Sequence, residues 1–309
     1  MRHYRRSGAT AVASLVAISI ASTKLLGLSF TPTYTGGTTE QQNATTSALN
    51  SLAAYFGGTA ALPVSIEIKD LNSSSTLGTS SIGTWTARSG VYYPSPLYNV
   101  LDSVNPIPAI TISMNINTGI SWEFGATTPT GGKYSWQSVV MHEALHSMGF
   151  YDGIANSTGA LAQAGYTVFD TLTTIGINGP AFSTLTSDAD RKTQITSQNL
   201  YWGGTAGKAA NGGNPVKLYA PGTFEEGSTY SHIDPTQTGK GGLLFPALGA
   251  DTYFAGPTTV ELGIMKDIGW TLAAVPEPSA YAAAFGGMSL AFGMWRRRNA
   301  SKPSVVTVA

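Results

Sequence analysis

The stretch SWQSVVMHEALHSMGFYDG, residues 135–153, combines the pattern of a buried helix with side chains that bind metals. Residues 135–148 contain neither Gly nor Pro and carry apolar side chains on most sides, which predicts a helix in the core. Gly149 follows at once, in the position where a left-handed glycine commonly ends a helix. His142 and His146 are four residues apart, so one helix face presents both imidazoles to a single point, as a zinc ion requires.

Glu143 lies beside this histidine pair, at the edge of the same helix face. From there its carboxylate can reach a water on the metal without being a ligand. Zinc lowers the pKa of such a water from ~15.7 towards ~7, and a nearby carboxylate can then take its proton. The spacing therefore predicts a hydrolytic Zn²⁺ site with Glu143 as general base. The alternative is a structural helix with two core histidines, but burying these groups without partners would be costly.

The third metal ligand is sought among the few remaining histidines. The chain has four histidines and no cysteine, which excludes thiolate sites. His3 falls within the predicted signal peptide described below, so the segment SHIDP supplies the one histidine left, His232. Asp152 is the rival, because carboxylates bind zinc and this one follows the helix closely. Asp152 and Gly153 also suit an ordinary turn. The residues alone leave both ligands open.

The amino-terminal end has the pattern of a secretory signal. Residues 1–6 are basic, residues 9–21 are apolar, and the small residues of SIA precede the expected cleavage site. We predict a signal peptide over residues 1–21 and, because the apolar run is short for a bilayer span, favour it over a membrane anchor. The mature domain then extends over residues 22–274.

The carboxyl-terminal end combines three features in order. Residues 275–298 contain VPEPS, an apolar stretch over 280–295 and three consecutive arginines. The apolar stretch is a short transmembrane candidate, at about 16 residues against the usual ~20. The arginines would stay on the cytoplasmic side. Residues 299–309 form an extension beyond this tail.

Charge limits the classes of partner. Residues 22–274 keep 10 of the 17 basic and 16 of the 17 acidic residues, which gives a net charge of −6. Nucleic-acid binding requires a basic face, so we expect no nucleic-acid partner. An exported chain without cysteine has no disulfides, and its stability must come from its core or from bound ions.

The periodicity of apolar residues predicts an α+β domain. Alternation predicts strands, and a spacing of three and four residues predicts helices. Stretches rich in Gly, Ser and Thr are interpreted as loops. On this basis we predict strands over 26–34, 64–68 and 110–116, helices over 38–56, 187–196 and 258–268, and loops over most of 72–105 and 152–230. Thr258 and Glu261 form a capping box at the start of the last helix, and Met265 within it is assigned to the core.

Four segments occur in an order known from one protein family. HEALHSMGF, SHIDP, GGLLFPAL and VELGIMKDIGW resemble the active-site helix, the late third ligand, the methionine turn and the closing helix of metzincin zinc peptidases, in particular of the leishmanolysin-like branch. In that branch a long insertion, here residues 152–230, precedes the third ligand. The resemblance implies that His232 completes the zinc site and that the protein is an endopeptidase acting on peptides or proteins.

The same resemblance implies a zincin-like fold, with a twisted mixed sheet, an active-site helix and a loop-rich C-terminal subdomain. Leu244 departs from the family, which has methionine there as a hydrophobic floor under the metal, a role that leucine can fill. The strand ITISMNIN either borders the substrate cleft, where it could pair with an extended peptide, or is purely structural. Tyr253 is a candidate for the tyrosine that assists some metzincins.

The carboxyl-terminal tail resembles the PEP-CTERM sorting signal of Gram-negative bacteria. That resemblance implies transient anchoring in the inner membrane, recognition by an exosortase-type sorting enzyme, and a final location at the cell surface or in the extracellular matrix. A plain membrane anchor is the alternative for the tail. For the whole protein, the alternative to a peptidase is a non-catalytic matrix or surface protein with a structural zinc site.

Overall fold

A computed structural model describes residues 27–101, 112–155, 158–237 and 242–273. The predicted signal peptide, the sorting tail and the C-terminal extension lie outside these ranges and remain predictions. Across the described ranges, no helix has both the length and the apolar character needed to cross a membrane.

Helices and strands are mixed along the described chain, which confirms the α+β class. The strands are β1 (Ser29–Gly36), β2 (Ala61–Lys69), β3 (Gly78–Ser81), β4 (Trp85–Arg88), β5 (Val91–Pro94), β6 (Ile112–Asn117), β7 (Trp122–Glu123), β8 (Tyr134–Ser135), β9 (Ile154–Ala155), β10 (Ala160–Leu161), β11 (Thr173–Ile175), β12 (Leu200–Trp202) and β13 (Val216–Lys217). The helices are α1 (Thr39–Ala53), α2 (Ser95–Leu101), α3 (Trp136–Ser147), α4 (Val168–Leu172), α5 (Asp188–Ile195), α6 (Thr205–Ala210) and α7 (Thr259–Ile268).

A four-stranded mixed sheet forms the first half of the fold, in the order β1-β2-β6-β3. The first three strands run parallel, and β3 pairs antiparallel with β6. Val64, Ile66 and Ile68 alternate along β2 as predicted, and all three are buried. The strand ITISMNIN, here β6, lies inside the sheet, so the structure favours the structural alternative over a place at the border of the cleft. The edge on that side is β3.

Helix α1 covers the sheet and contacts α3. Leu49 and Leu52 of α1 are fully buried, at the spacing the sequence predicts. Thr38 and Gln41 close the start of this helix with a capping box. The Trp136 indole N–H donates to the Thr45 hydroxyl at 2.9 Å inside the core, which joins the first turn of α3 to α1.

Two segments predicted as loops contain regular structure. Residues 72–101 hold β3, β4, β5 and α2. Strands of four residues gain their pairing from neighbours and are too short to show a clear hydrophobic period of their own. Residues 152–230 hold the predicted helix, found as α5, and also α4, α6 and a three-stranded sheet. Buried aromatic rings hold this second segment together, with centroids of Phe169 and Trp202 5.3 Å apart.

Helix α7 closes the described fold. Thr258 and Glu261 form the predicted capping box, and Gly269 ends the helix with φ of 129°. Met265 is fully buried, which confirms its predicted place in the core. The Trp270 indole N–H donates to the Met148 carbonyl at 2.7 Å, so the end of α7 contacts the end of α3.

Candidate metal centre

Helix α3 carries two of the site histidines in a rigid setting. Ser135 caps its start, and the helix is buried along almost its whole length. Gly149 follows with φ of 116°, and a Cβ there would lie 2.8 Å from Cγ of Pro94. Only glycine combines that backbone conformation with that close approach. The turn it permits brings the Phe150 carbonyl back to the Nδ1 atom of His146, at 2.7 Å.

Three imidazole nitrogens converge on one point. The Nε2 atom of His146 lies 3.0 Å from that of His142 and 3.1 Å from that of His232. The remaining pair, His142 and His232, has its Nε2 atoms 3.5 Å apart. Ligands at about 2.0–2.1 Å from a tetrahedral zinc are separated by a little over 3 Å, so these spacings suit a common ion. Within the described residues, these three side chains form the group that can hold a metal ion.

Backbone carbonyls determine which ring nitrogen faces that point. The Nδ1 atoms of His142, His146 and His232 contact the carbonyl oxygens of Leu243, Phe150 and Ser228, respectively. A carbonyl only accepts, so each Nδ1 must carry the hydrogen and donate it. In their neutral form, the three imidazoles therefore direct unprotonated Nε2 atoms at one another.

This arrangement is suited to holding a cation. Three nitrogen lone pairs at these distances repel, and none of them has a hydrogen to share with another. Burial and the neighbouring histidines lower the pKa of His146 well below its usual value. Burial, with His142, lowers the pKa of His232 to about 3. His146 and His232 thus stay neutral at neutral pH, which is the form that binds metals.

Asp152 is not a member of this group. Its carboxylate accepts hydrogen bonds from the Ser231 hydroxyl and from the Ile154 backbone N–H. The structure therefore brings His232 to the histidine pair. The rival ligand, Asp152, is instead hydrogen-bonded to Ser231, the residue that precedes His232. The histidine count left both residues open, the family resemblance favoured His232, and the geometry brings His232 to the pair.

Glu143 lies against the edge strand β3. It is 6% exposed, and a Cβ added to Gly78 would lie 3.0 Å from its Oε1 atom and 3.1 Å from Cγ1 of Val139. Burial raises the pKa of Glu143, while His142 and the Ser80 hydroxyl act in the opposite direction. A raised pKa makes the carboxylate a better base. Gly78 and Ser80 were missed from the sequence, since nothing local marks β3 as a neighbour of α3.

Tyr151 lies next to the histidine cluster. It is 38% exposed, and its ring meets the His146 ring edge-on with centroids 6.4 Å apart. Burial raises its pKa, with further contributions from Asp152, Glu226 and Glu143. Burial also raises the pKa of Tyr253, the candidate from the sequence, and Tyr55 acts in the same direction. The assisting role of Tyr253 stays a prediction, and Tyr151 is a further tyrosine that the sequence did not single out.

The segment GGLLFPAL packs against the site as the sequence predicts. Leu243 supplies the carbonyl for His142, and the side chain of Leu244 is fully buried. Glu261 of α7 holds this turn, since its Oε1 atom accepts from the backbone N–H groups of Gly242 and Leu244 at 2.9 and 2.7 Å. The capping residue of the last helix thus also fixes the orientation of His142.

Comparisons with protein-family models, with curated proteins and with solved structures gave no significant match.

Replacing His232 by alanine tests the convergence of the three histidines. We expect His232→Ala to lower zinc affinity by at least about a hundredfold, because only two of the three imidazole ligands remain. Competition with a chromogenic chelator measures this change. Tyr253→Phe serves as the control and should bind zinc as the parent does. Unchanged affinity in His232→Ala would remove this residue from the site.

Proposed function

We propose that this protein is an exported zinc-dependent endopeptidase of the metzincin clan, similar to the leishmanolysin-like branch. The observation that carries the proposal is the convergence of three unprotonated Nε2 atoms beside a buried glutamate. The proposed zincin-like fold rests on the mixed sheet, its antiparallel edge strand and the buried helix α3, together with the order of the sequence motifs.

The number of ligands favours catalysis over a structural zinc site. Structural zinc is held by four protein ligands, whereas catalytic zinc has three and keeps a position for water or substrate. Within the described part of the chain, three ligand side chains come together. A structural site also has no need of Glu143, a buried acid next to a ligand. A non-catalytic matrix protein is therefore the second candidate.

Each group of the proposed site has a separate role in peptide hydrolysis. Zinc, when bound, lowers the pKa of a water and polarises the substrate carbonyl. Glu143 takes the proton of the attacking water and passes it to the leaving amine. The backbone carbonyls behind the imidazoles of His142, His146 and His232 maintain the ligand orientation during this cycle.

The edge strand β3 provides a place for the substrate backbone. Its partner β6 pairs along one side, and β3 ends the order of the four-stranded sheet. An extended peptide can add to such an edge through main-chain hydrogen bonds. Because Gly78 touches Glu143, a peptide on this edge would lie beside the general base. Tyr151 is 38% exposed and lies against the His146 ring, so a bound side chain would have this tyrosine as a further contact.

Export and sorting complete the proposal. The basic and apolar residues 1–21 and the tail over residues 275–298 support secretion, transient attachment to the inner membrane and processing by an exosortase-type enzyme. The protein would then act at the cell surface or in the extracellular matrix of a Gram-negative bacterium.

Glu143→Ala separates metal binding from catalysis. We expect one zinc per chain to remain, since Glu143 is not a ligand, and casein cleavage to fall by at least about a thousandfold, because the proton acceptor is gone. Zinc content and proteolysis are measured on the same preparation. Glu123→Ala, at a half-buried glutamate in β7, is the matched control. Retained proteolysis in Glu143→Ala would refute the mechanism.

Gly78→Ala and Gly78→Val test the contact between β3 and the general base. The added Cβ forces Glu143 to move by a few tenths of an ångström, and valine forces it further. Small displacements of a catalytic group lower the rate, so we expect kcat to fall about tenfold for alanine and more for valine, with zinc content unchanged. Ser81→Ala, at an exposed position of the same strand, should retain the parent rate. Equal rates in all three variants would contradict the contact.

A further inference from the structure

Asp152 and Ser231 join two segments that are 79 residues apart in sequence. The Ser231 hydroxyl donates to Oδ2 of Asp152 and accepts from the Asp152 backbone N–H at 3.0 Å. Ser231 is 7% exposed and immediately precedes His232. A pair of hydrogen bonds thus attaches the third ligand to the turn that follows α3.

The turn itself is held firmly. The Oδ1 atom of Asp152 accepts from the Ile154 N–H at 2.8 Å. The Gly153 N–H points at the buried carboxylate of Asp170, with distances of 3.3 and 3.2 Å to its two oxygens. A Cβ on Gly153 would lie 2.6 Å from Oδ2 of Asp170, so glycine is needed for this approach. Asp170 is in turn fixed by the capping box of α4 with Thr167.

The same turn supports a second ligand. Phe150, two residues before Asp152, supplies the carbonyl that accepts from Nδ1 of His146. The same short segment therefore positions both histidines. It contacts His146 through a backbone carbonyl, and it holds His232 through the neighbouring Ser231. Without this link, His232 would depend on its own segment, which is anchored by backbone bonds to Tyr219 and by the carbonyl of Ser228.

We propose that Asp152 is a positioning residue, which holds Ser231 so that His232 is already placed for metal before the ion arrives. The three Nε2 atoms repel one another in the apo protein, and the Asp152–Ser231 link opposes that repulsion. Preorganisation of this kind raises affinity because less order must be imposed on binding. The inference rests on metal binding by the three histidines, which the proposed function also requires.

A double-mutant cycle on the full chain tests the proposal, with the zinc Kd measured by chelator competition. We expect Asp152→Ala and Ser231→Ala each to weaken binding by ~10–100-fold, the usual effect of losing a partner of the ligand shell. The double variant should bind no more weakly than the weaker single variant, because both remove one link. Asp152→Asn, which keeps an acceptor for Ile154 and a polar group for Ser231, should recover part of the affinity.

A control variant in α7 distinguishes a specific loss of zinc affinity from a general loss of stability. Asp267 accepts from the Trp202 indole and from the Ala206 and Gly207 backbone, so Asp267→Asn should lower Tm and leave the zinc Kd unchanged. Parent-like zinc affinity in Asp152→Ala and Ser231→Ala, or independent additive losses, would overturn the positioning role while leaving the three-histidine site intact. Absence of zinc binding by the parent would overturn both proposals.

Discussion

The hydrogen bonds behind the three imidazoles are the constraint on which the rest of the structure depends. Each Nδ1–H is committed to a backbone carbonyl, so each Nε2 is left as a bare acceptor facing the other two. The carbonyls come from three different segments, at Phe150, Ser228 and Leu243. The fold of the second half can be understood as the means of bringing these segments to one point without a disulfide.

Helix α3 connects that point to the sheet. One side of the helix packs on α1 through Trp136, and another contacts β3 and β6. Burial of nearly the whole helix is unusual for a segment with two histidines and a glutamate, because polar groups lose hydration there. The cost is offset when each of them has a defined partner. A metal ion, when bound, would supply the partner that the three Nε2 atoms lack.

The sequence predicted those parts of the site that depend on local spacing. The period of α3, the face shared by His142 and His146, and the capping box at Thr258 and Glu261 are all local features, and the structure contains each of them. His232 was predicted for a different reason. The chain has so few histidines that counting them left only His232 and its rival Asp152, and the family resemblance favoured His232.

Features that depend on residues far apart in the sequence could not be predicted from it. Strand β3 is a Gly-Thr-Ser-Ser segment without hydrophobic period, and its place beside Glu143 arises only from pairing with β6. Asp152 was weighed as a ligand or a turn, whereas its partner Ser231 lies far along the chain. The aromatic packing of Phe169 and Trp202 likewise organises a segment whose composition indicates loops.

X-ray absorption at the zinc edge of the zinc-loaded full chain tests the central claim most directly. The account predicts a four-coordinate ion with three imidazole ligands at about 2.0–2.1 Å and one additional light atom, the signature of a catalytic site. A spectrum that required only two imidazoles, or a fourth protein ligand closing the shell, would contradict the three-histidine catalytic centre proposed for this protein.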